Sequence, residues 1–216
     1  PIPAWDKYVD DLNHRLGLDN QLGRVIGSTA RKDPKRIVFA DAENIKILKV
    51  AQLVMEEGVA YPFLLGKEHT IRKLADENGI DLEGMPIMNP ADDHHEDARK
   101  KFGDLFFEKR QRRGVNKYES YKAMKDRNHF GCMLVDSGEA DGMISGLSRT
   151  SPDTIRPALQ VIGTEPGVKK IAGMYIMFTK RGPLFLADTT VNFNPTAEEL
   201  AEITLLVAKE VKMFNI

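Results

Sequence analysis

Arg36-Ile37-Val38-Phe39-Ala40, a helical run from Glu43 to Glu57, and then Pro62-Phe63-Leu64-Leu65 make up the stretch that decides the fold. The outer segments are short and apolar, the pattern of strands buried on both faces. Between them Ile47, Leu48, Ala51 and the pair Val54-Met55 recur at helical spacing, and Gly58 is the natural stop. A strand, a helix and a second strand in that order form a crossover unit, which sets the two strands parallel in one sheet.

Working outward, the cycle repeats. A helix from Glu68 to Asn78 ends at Gly79, and a short strand follows at Pro86-Ile87-Met88. Residues from Ala91 to Ser137 read as mainly helical, and the basic stretch Lys109-Arg110-Gln111-Arg112-Arg113-Gly114 within them reads first as a solvated face. Asp141-Gly142-Met143-Ile144-Ser145-Gly146 is a buried strand entering a loop, and Ser151-Pro152-Asp153 is a helix start with Ser151 as its cap. Two strands follow, Ile171 to Thr179 and Pro183 to Ala187, joined by the turn Lys180-Arg181-Gly182. The last helix opens on the capping box Thr196-Ala197-Glu198-Glu199 and carries Leu200, Ile203, Val207, Val211 and Phe214 as its apolar stripe.

Before Asp33-Pro34, the positions Trp5, Tyr8, Val9, Leu12 and Leu16, then Leu22, Val25 and Ile26, predict one or two polar-rich helices. The expected organisation is a helical connector arm over 1–32 and an α/β domain over 33–216, a three-layer sandwich with a mostly parallel sheet. The sequence stops at the end of a helix, without the strand that the alternation would supply next. The domain is therefore expected to be incomplete, and to self-associate through apolar surface left uncovered.

Composition narrows the classes. With 42% hydrophobic and 29% charged residues and a net charge of −1, the 216-residue chain has a folded domain's profile and no electrostatic reason to bind nucleic acid or an acidic membrane. No window offers the ~18 unbroken apolar residues of a membrane span, and Pro1-Ile2-Pro3-Ala4-Trp5-Asp6 is not a secretory leader. The single cysteine, Cys132, lies in the apolar run Phe130 to Val135 and reads as a buried hydrophobe, so a reducing, cytoplasmic location is expected.

Chemistry concentrates in Ser145-Gly146-Leu147-Ser148-Arg149-Thr150-Ser151-Pro152-Asp153-Thr154-Ile155-Arg156-Pro157, where five hydroxyl side chains and two arginines share one strand-to-helix loop. A helix N-terminus offers free N–H groups and a positive dipole end; hydroxyls and a guanidinium beside it complete an anion site. The plainer alternative is that Ser151 only caps, while Thr154 and Arg156 only pair with Asp153 or another carboxylate. Asp188, in Ala187-Asp188-Thr189-Thr190-Val191-Asn192, is a candidate base or ligand partner, although holding its own loop by accepting backbone amides is the more ordinary role. Neither a dinucleotide fingerprint nor a Walker loop is present, so no NADP site is expected in this segment. His94-His95 with Asp92, Asp93 and Glu96 reads as a solvated helix start, because adjacent helical residues diverge by about 100° and do not share one ion.

Ser145-Gly146, followed by Asp153-Thr154-Ile155-Arg156-Pro157-Ala158-Leu159-Gln160-Val161-Ile162, is similar to the signature of the phosphate acetyl- and butyryltransferase family. Gly138-Glu139-Ala140-Asp141-Gly142-Met143 and Ala187 to Asn192, continuing through Pro195-Thr196-Ala197-Glu198-Glu199-Leu200-Ala201-Glu202-Ile203, extend the resemblance over roughly 30–216 in the family's order. Arg149 stands where the family often has His, and Pro152 where it has a small residue. Ala30-Arg31-Lys32-Asp33-Pro34-Lys35-Arg36, Arg112-Arg113-Gly114-Val115 and the arm around Trp5-Asp6-Lys7-Tyr8 further resemble the connector and domain opening of hybrid NADP-dependent malic enzymes. The resemblance implies the phosphotransacetylase fold, of the isocitrate/isopropylmalate dehydrogenase-like type. It also implies a ligand cleft for acetyl-CoA or phosphate lined by Ser145, Ser151, Thr154 and Arg156. The implied parent is a homo-oligomer that decarboxylates malate oxidatively to pyruvate, with NADP and a divalent metal (Mg or Mn) held in a malic catalytic domain of the same polypeptide, and the segment's implied role there is regulatory, through acetyl-CoA, and oligomerising. The sequence alone leaves two alternatives open, a truncated phosphate acetyltransferase and a scaffolding fragment without a ligand. The transferase's Ser-Arg pair and Asp base belong to a part of the domain beyond this segment, so no catalytic residue and no transferase activity is expected here.

Overall fold

The computed structural model describes Trp5, Tyr8 and residues 21–179 and 182–214; the connector arm expected over 1–32 and the turn at Lys180-Arg181 lie largely or wholly outside the described residues. These residues form two compact units, one of Ala30–Gly163 and one of Thr164–Ile216 together with the N-terminal residues to Thr29.

Helix α1 (Gln21–Ala30) falls, but for Ala30, in the smaller unit; in the larger unit β1 (Lys35–Phe39), α2 (Ile45–Glu56), β2 (Ala60–Leu65), α3 (Glu68–Asn78) and β3 (Ile87–Met88) follow one another. They are succeeded by α4 (Glu96–Arg110), α5 (Lys117–Ala123), α6 (Arg127–Asp136), β4 (Gly142–Ile144) and α7 (Ser151–Val161). The four strands form a parallel sheet in the order β3-β2-β1-β4, as the alternation predicts. The helix expected from Glu43 starts two residues later, because the Asn44 side chain caps it by accepting from Lys46 N–H at 2.9 Å. The expected helical stretch 91–137 resolves into three helices, interrupted at Gly114 with φ 90° and again at the Asp126 cap.

Strand alternation builds two hydrophobic layers. Val38 and Leu65 face one side with Phe102 and Phe106 of α4 and Phe130 and Met133 of α6. Phe39 and Leu64 face the other with Leu48 and Ala51 of α2 and Ile71 and Ala75 of α3. Helices thus cover both faces of the sheet, the three-layer arrangement, and each large side chain buried in this way contributes about 1.5–3 kcal/mol relative to exposure. Gly131 lets α6 approach the sheet closely, since a Cβ there would lie 2.5 Å from Met143 Sδ and 3.3 Å from Val38 Cγ1.

In the smaller unit β5 (Met174–Thr179) and β6 (Gly182–Ala187) form an antiparallel pair, and α8 (Ala197–Met213) follows behind the expected capping box at Thr196 and Glu199. Phe185 of β6 meets Phe214 just past α8, with ring centroids 5.6 Å apart. The opposite face of the pair carries Tyr175 and Met177 across from Leu186 and Leu184, and all four are exposed. Among the described residues, no helix is long and apolar enough to cross a membrane.

Candidate functional site

β1 lies between β2 and β4, so the chain leaves it toward one edge of the sheet and returns at the other. In open α/β sheets the crevice for ligands opens at such a switch point, beyond the carboxyl ends of the strands. Here those ends carry the turn after β1, residues 40–44, and the loop after β4, residues 145–150, which is the loop the sequence singles out.

Asp41 crosses that crevice. It is 5% exposed, and its Oδ2 accepts from the N–H groups of Gly146 (2.9 Å) and Leu147 (3.1 Å), while the Ser148 hydroxyl donates to Oδ1. Burial opposes the charge on Asp41. The Ser148 hydroxyl, the two amides and the nearby Arg127 charge outweigh it, so its carboxyl is held below the usual range. Gly146 adopts φ +117°, open chiefly to glycine, and this turns the two amides toward the carboxylate.

Ser145 donates its hydroxyl to Asn128 Oδ1 at 2.8 Å, and Asn128 Nδ2 donates onward to the Asp153 carbonyl at 3.2 Å. Asn128 is 1% exposed, so this bridge ties the loop to the start of α7 from inside. The cap of α7 is Thr150 rather than Ser151: Asp153 N–H donates to Thr150 Oγ1, and the Thr150 hydroxyl donates to Asp153 Oδ2 at 2.6 Å. Ser151 is consequently the first helical residue, exposed and with no hydrogen-bond partner among the described residues. Pro152 withholds one amide from the helix start, and Asp153 adds a carboxylate there. Both reduce what the helix end offers an anion by itself.

Thr154 donates its hydroxyl back to the Thr150 carbonyl at 3.1 Å. The two arginines divide. Arg149 Nη1 pairs with Asp126 at 2.7 Å, whereas Arg156 is exposed and makes no hydrogen bond or ion pair among the described residues. Asp126 is itself heavily committed: it caps α6 through the amides of Asn128 and His129 and accepts from His129 Nδ1 at 3.1 Å, while His129 Nε2 faces Gln160 Oε1 at 3.0 Å. Burial works against its charge, but the His129 ring and amide and the Arg149 guanidinium hold its pKa down at about 2.

Asp188 belongs to the smaller unit and serves its own loop. Its carboxylate accepts from the N–H groups of Gly173 (2.8 Å), Thr190 (3.3 Å), Val191 (3.3 Å) and Asn192 (2.5 Å), and from Asn192 Nδ2 at 2.6 Å. Burial again opposes the charge, and these donors hold the carboxyl well below its ordinary range. The amide of Gly173 is thereby drawn out of the strand expected from Ile171, so that β5 begins at Met174. A Cβ at Gly173 would lie 2.8 Å from Thr189 Oγ1, so the close approach needs glycine.

Cys132 is buried, and burial pushes its thiol up to about 12, which suits packing and not nucleophilic chemistry. His94 and His95 sit in a short 3₁₀ turn before α4. Among the described residues no three His, Cys, Asp or Glu side chains gather where a metal ion could be held. The turn after β1, Ala40-Asp41-Ala42-Glu43-Asn44, lacks glycine and presents two carboxylates where a dinucleotide's phosphates would need amides, so these residues do not fit NADP. Asp41, Asn128 and Asp126, which shape the loop, are the residues sequence reasoning missed. Asp126 had a signal in Asp126-Arg127-Asn128-His129, an acidic cap before an apolar run, while Asp41 had none near the loop it holds.

Residues 22–216 match a family described as phosphate acetyl/butaryl transferase. The chain is 36% identical to the phosphate acetyltransferase of Bacillus subtilis over 187 residues, 87% of this chain and 56% of that protein. It is 31% identical to the NADP-dependent malic enzyme of Escherichia coli over 217 residues, 100% of this chain and 29% of that protein. Among solved structures, the EutD phosphotransacetylase from Staphylococcus aureus superposes with a TM-score of 0.81 at 28% identity, covering 92% of this chain and 59% of that one. A phosphotransacetylase from Streptococcus pyogenes gives 0.78 at 31% identity, covering 89% and 59%. The chain therefore spans less than two thirds of each of these proteins.

Proposed function

From the premise that this chain belongs to the phosphate acetyl/butaryl transferase family, we propose that it is the transferase-like segment of an NADP-dependent malic enzyme, with a regulatory and assembling role. The observation that carries this reading is the extent of the malic enzyme match. It runs along the whole chain, including the N-terminal residues that precede the family match at 22.

In this reading the segment senses acetyl-CoA or another phosphate-bearing molecule at the loop after β4. Among the described residues Arg156 and the Ser151 hydroxyl have no side-chain partner there, and Ser145 and Thr154 shape the same loop. Asp188 holds its own motif, Ala187 to Asn192, in shape. A malic catalytic domain elsewhere in the polypeptide carries the decarboxylation of malate to pyruvate, with its NADP and its divalent metal, in a cytoplasmic homo-oligomer. The exposed row Tyr175, Met177, Leu184 and Leu186 suits the assembling role.

A second reading, a segment of a phosphate acetyltransferase, is favoured by the higher identity to such enzymes, 36% against 31%. Calorimetric titration of the full chain with acetyl-CoA and with inorganic phosphate, alongside Arg156→Ala, tests the sensing role. Saturable binding that weakens about tenfold or more in the variant is expected, the cost of a lost charge-assisted contact. No binding of either ligand removes the reading, and acetyl phosphate formed by this chain from acetyl-CoA and phosphate moves it to the transferase.

A further inference from the structure

At the place where the sheet topology opens a ligand crevice, the loop's amides already hold an anion, and it is the protein's own. Two successive N–H groups, of Gly146 and Leu147, converge on one oxygen of Asp41, and the Ser148 hydroxyl takes the other. Converging amides of this kind form a nest suited to an anionic oxygen. Burying a carboxylate at 5% exposure is unfavourable unless its lone pairs are answered, and here three donors from the loop answer it. The carboxylate comes from the end of β1, 105 residues before Gly146, so the contact fixes the loop to the sheet rather than to itself.

We propose that Asp41 is a positioning residue of the ligand loop. Its carboxylate stands in for an anion inside the Gly146–Ser148 turn, sets the loop against β1, and leaves the outward Ser151 and Arg156 as the groups that meet the ligand. A ligand oxyanion cannot share the Gly146 and Leu147 amides with it, because two anions on one pair of donors repel. The inference rests on the reading of this loop as an acetyl-CoA or phosphate site.

Chemical rescue tests it in the full chain. Asp41→Asn can turn its carbonyl oxygen to the two amides and its NH2 group to the Ser148 hydroxyl, so it keeps the loop. Asp41→Ala cannot, and it leaves a carboxylate-sized space that formate can enter. Inorganic phosphate should bind Asp41→Ala about tenfold or more weakly, with affinity restored to within about twofold by formate, the native chain in the same formate being the reference. Asp41→Asn should bind phosphate as well as the native chain or better, since a nearby negative charge is gone. Native affinity in Asp41→Ala, or failure of formate to restore it, overturns the proposal.

If the native chain binds no phosphate, the functional reading falls, and amide exchange at Gly146 and Leu147 judges Asp41 separately. Fast exchange in Asp41→Ala that formate slows supports the positioning role; exchange at the native rate removes it. Should Asp41→Ala not fold, the same amides are read in Asp41→Asn, where native protection supports the proposal and fast exchange overturns it.

Discussion

The loop after β6 closes on Asp188, an acid of its own, whereas the loop after β4 closes on Asp41, which arrives from the end of β1. Both carboxylates are held down by backbone amides, and both sit where a strand runs toward a helix cap. The donors differ in origin. Thr190, Val191 and Asn192 lie two to four residues beyond Asp188, while Gly146 and Leu147 lie 105 and 106 residues beyond Asp41. A locally closed loop is encoded by spacing and can form as soon as its strand pair does. A loop closed from another strand has no shape until the sheet has brought β1 and β4 together, so its geometry reports on the assembled fold.

The sharpest way to break this comparison is to remove the local clamp. Asp188→Ala takes the side-chain acceptor from four backbone amides and one of two acceptors from Asn192 Nδ2, and it should cost about 3–4 kcal/mol of stability. Urea unfolding monitored by circular dichroism checks it. A cost below about 1 kcal/mol would mean that the Asn192 Nδ2 bond to the Ile171 carbonyl, at 2.7 Å, already holds the loop without the acid.

Asn128→Ala probes the other loop from inside. It removes the buried bridge between Ser145 and the Asp153 carbonyl, leaving both groups short of a partner, and about 2–3 kcal/mol of destabilisation is expected. Ser145→Ala deletes only one arm of the bridge and should cost about 1 kcal/mol. Equal costs for the two variants would show that the Asp153 arm contributes nothing.

These two loops also mark how far the sequence can be read. The crossover order, the parallel sheet and the capping box at Thr196 follow from periodicity and short-range spacing, and each is present. The loop-holding role of Asp188 was legible for the same reason, since all of its donors but Gly173 are sequence neighbours. Asp41 was not, because a carboxylate so far from its donors leaves no local pattern. The cap of α7 fell on Thr150 because adjacent hydroxyls are equivalent in sequence, and the choice between them is made by backbone geometry ahead of Pro152. The β5–β6 pair is apolar on both faces, so the sequence held no cue to which face Phe214 would meet.

Acid sharpens the comparison further. The folded carboxyls of Asp41, Asp126 and Asp188 all lie below their ordinary value of 3.8, so their stabilisation is complete above it and is lost as pH falls toward the folded values. For Asp126, with a folded value of about 2, the contribution is on the order of 2 kcal/mol. Stability should be flat from pH 7 to about 5 and decline below about 4. Asp126→Asn should flatten part of that decline, and an unchanged acid limb would show that the cap and the Arg149 pair do not depend on the charge.

The smallest expected effect on stability separates site from scaffold. Arg156 is exposed and bonds to nothing among the described residues, although it lies on α7 beside a loop whose other polar groups are nearly all engaged. Arg149 offers the contrast, paired at 2.7 Å with an acid whose carboxyl is strongly held down. An unpaired surface guanidinium contributes little to folding, so Arg156→Ala should change the unfolding free energy by no more than about 0.5 kcal/mol, while Arg149→Ala should cost about 1–2 kcal/mol through the lost pairing with Asp126 Oδ2. Thermal and urea unfolding of the two variants, side by side, decide it. If Arg156→Ala proves as costly as Arg149→Ala, the guanidinium has a structural partner, and the ligand reading loses the arginine on which it depends.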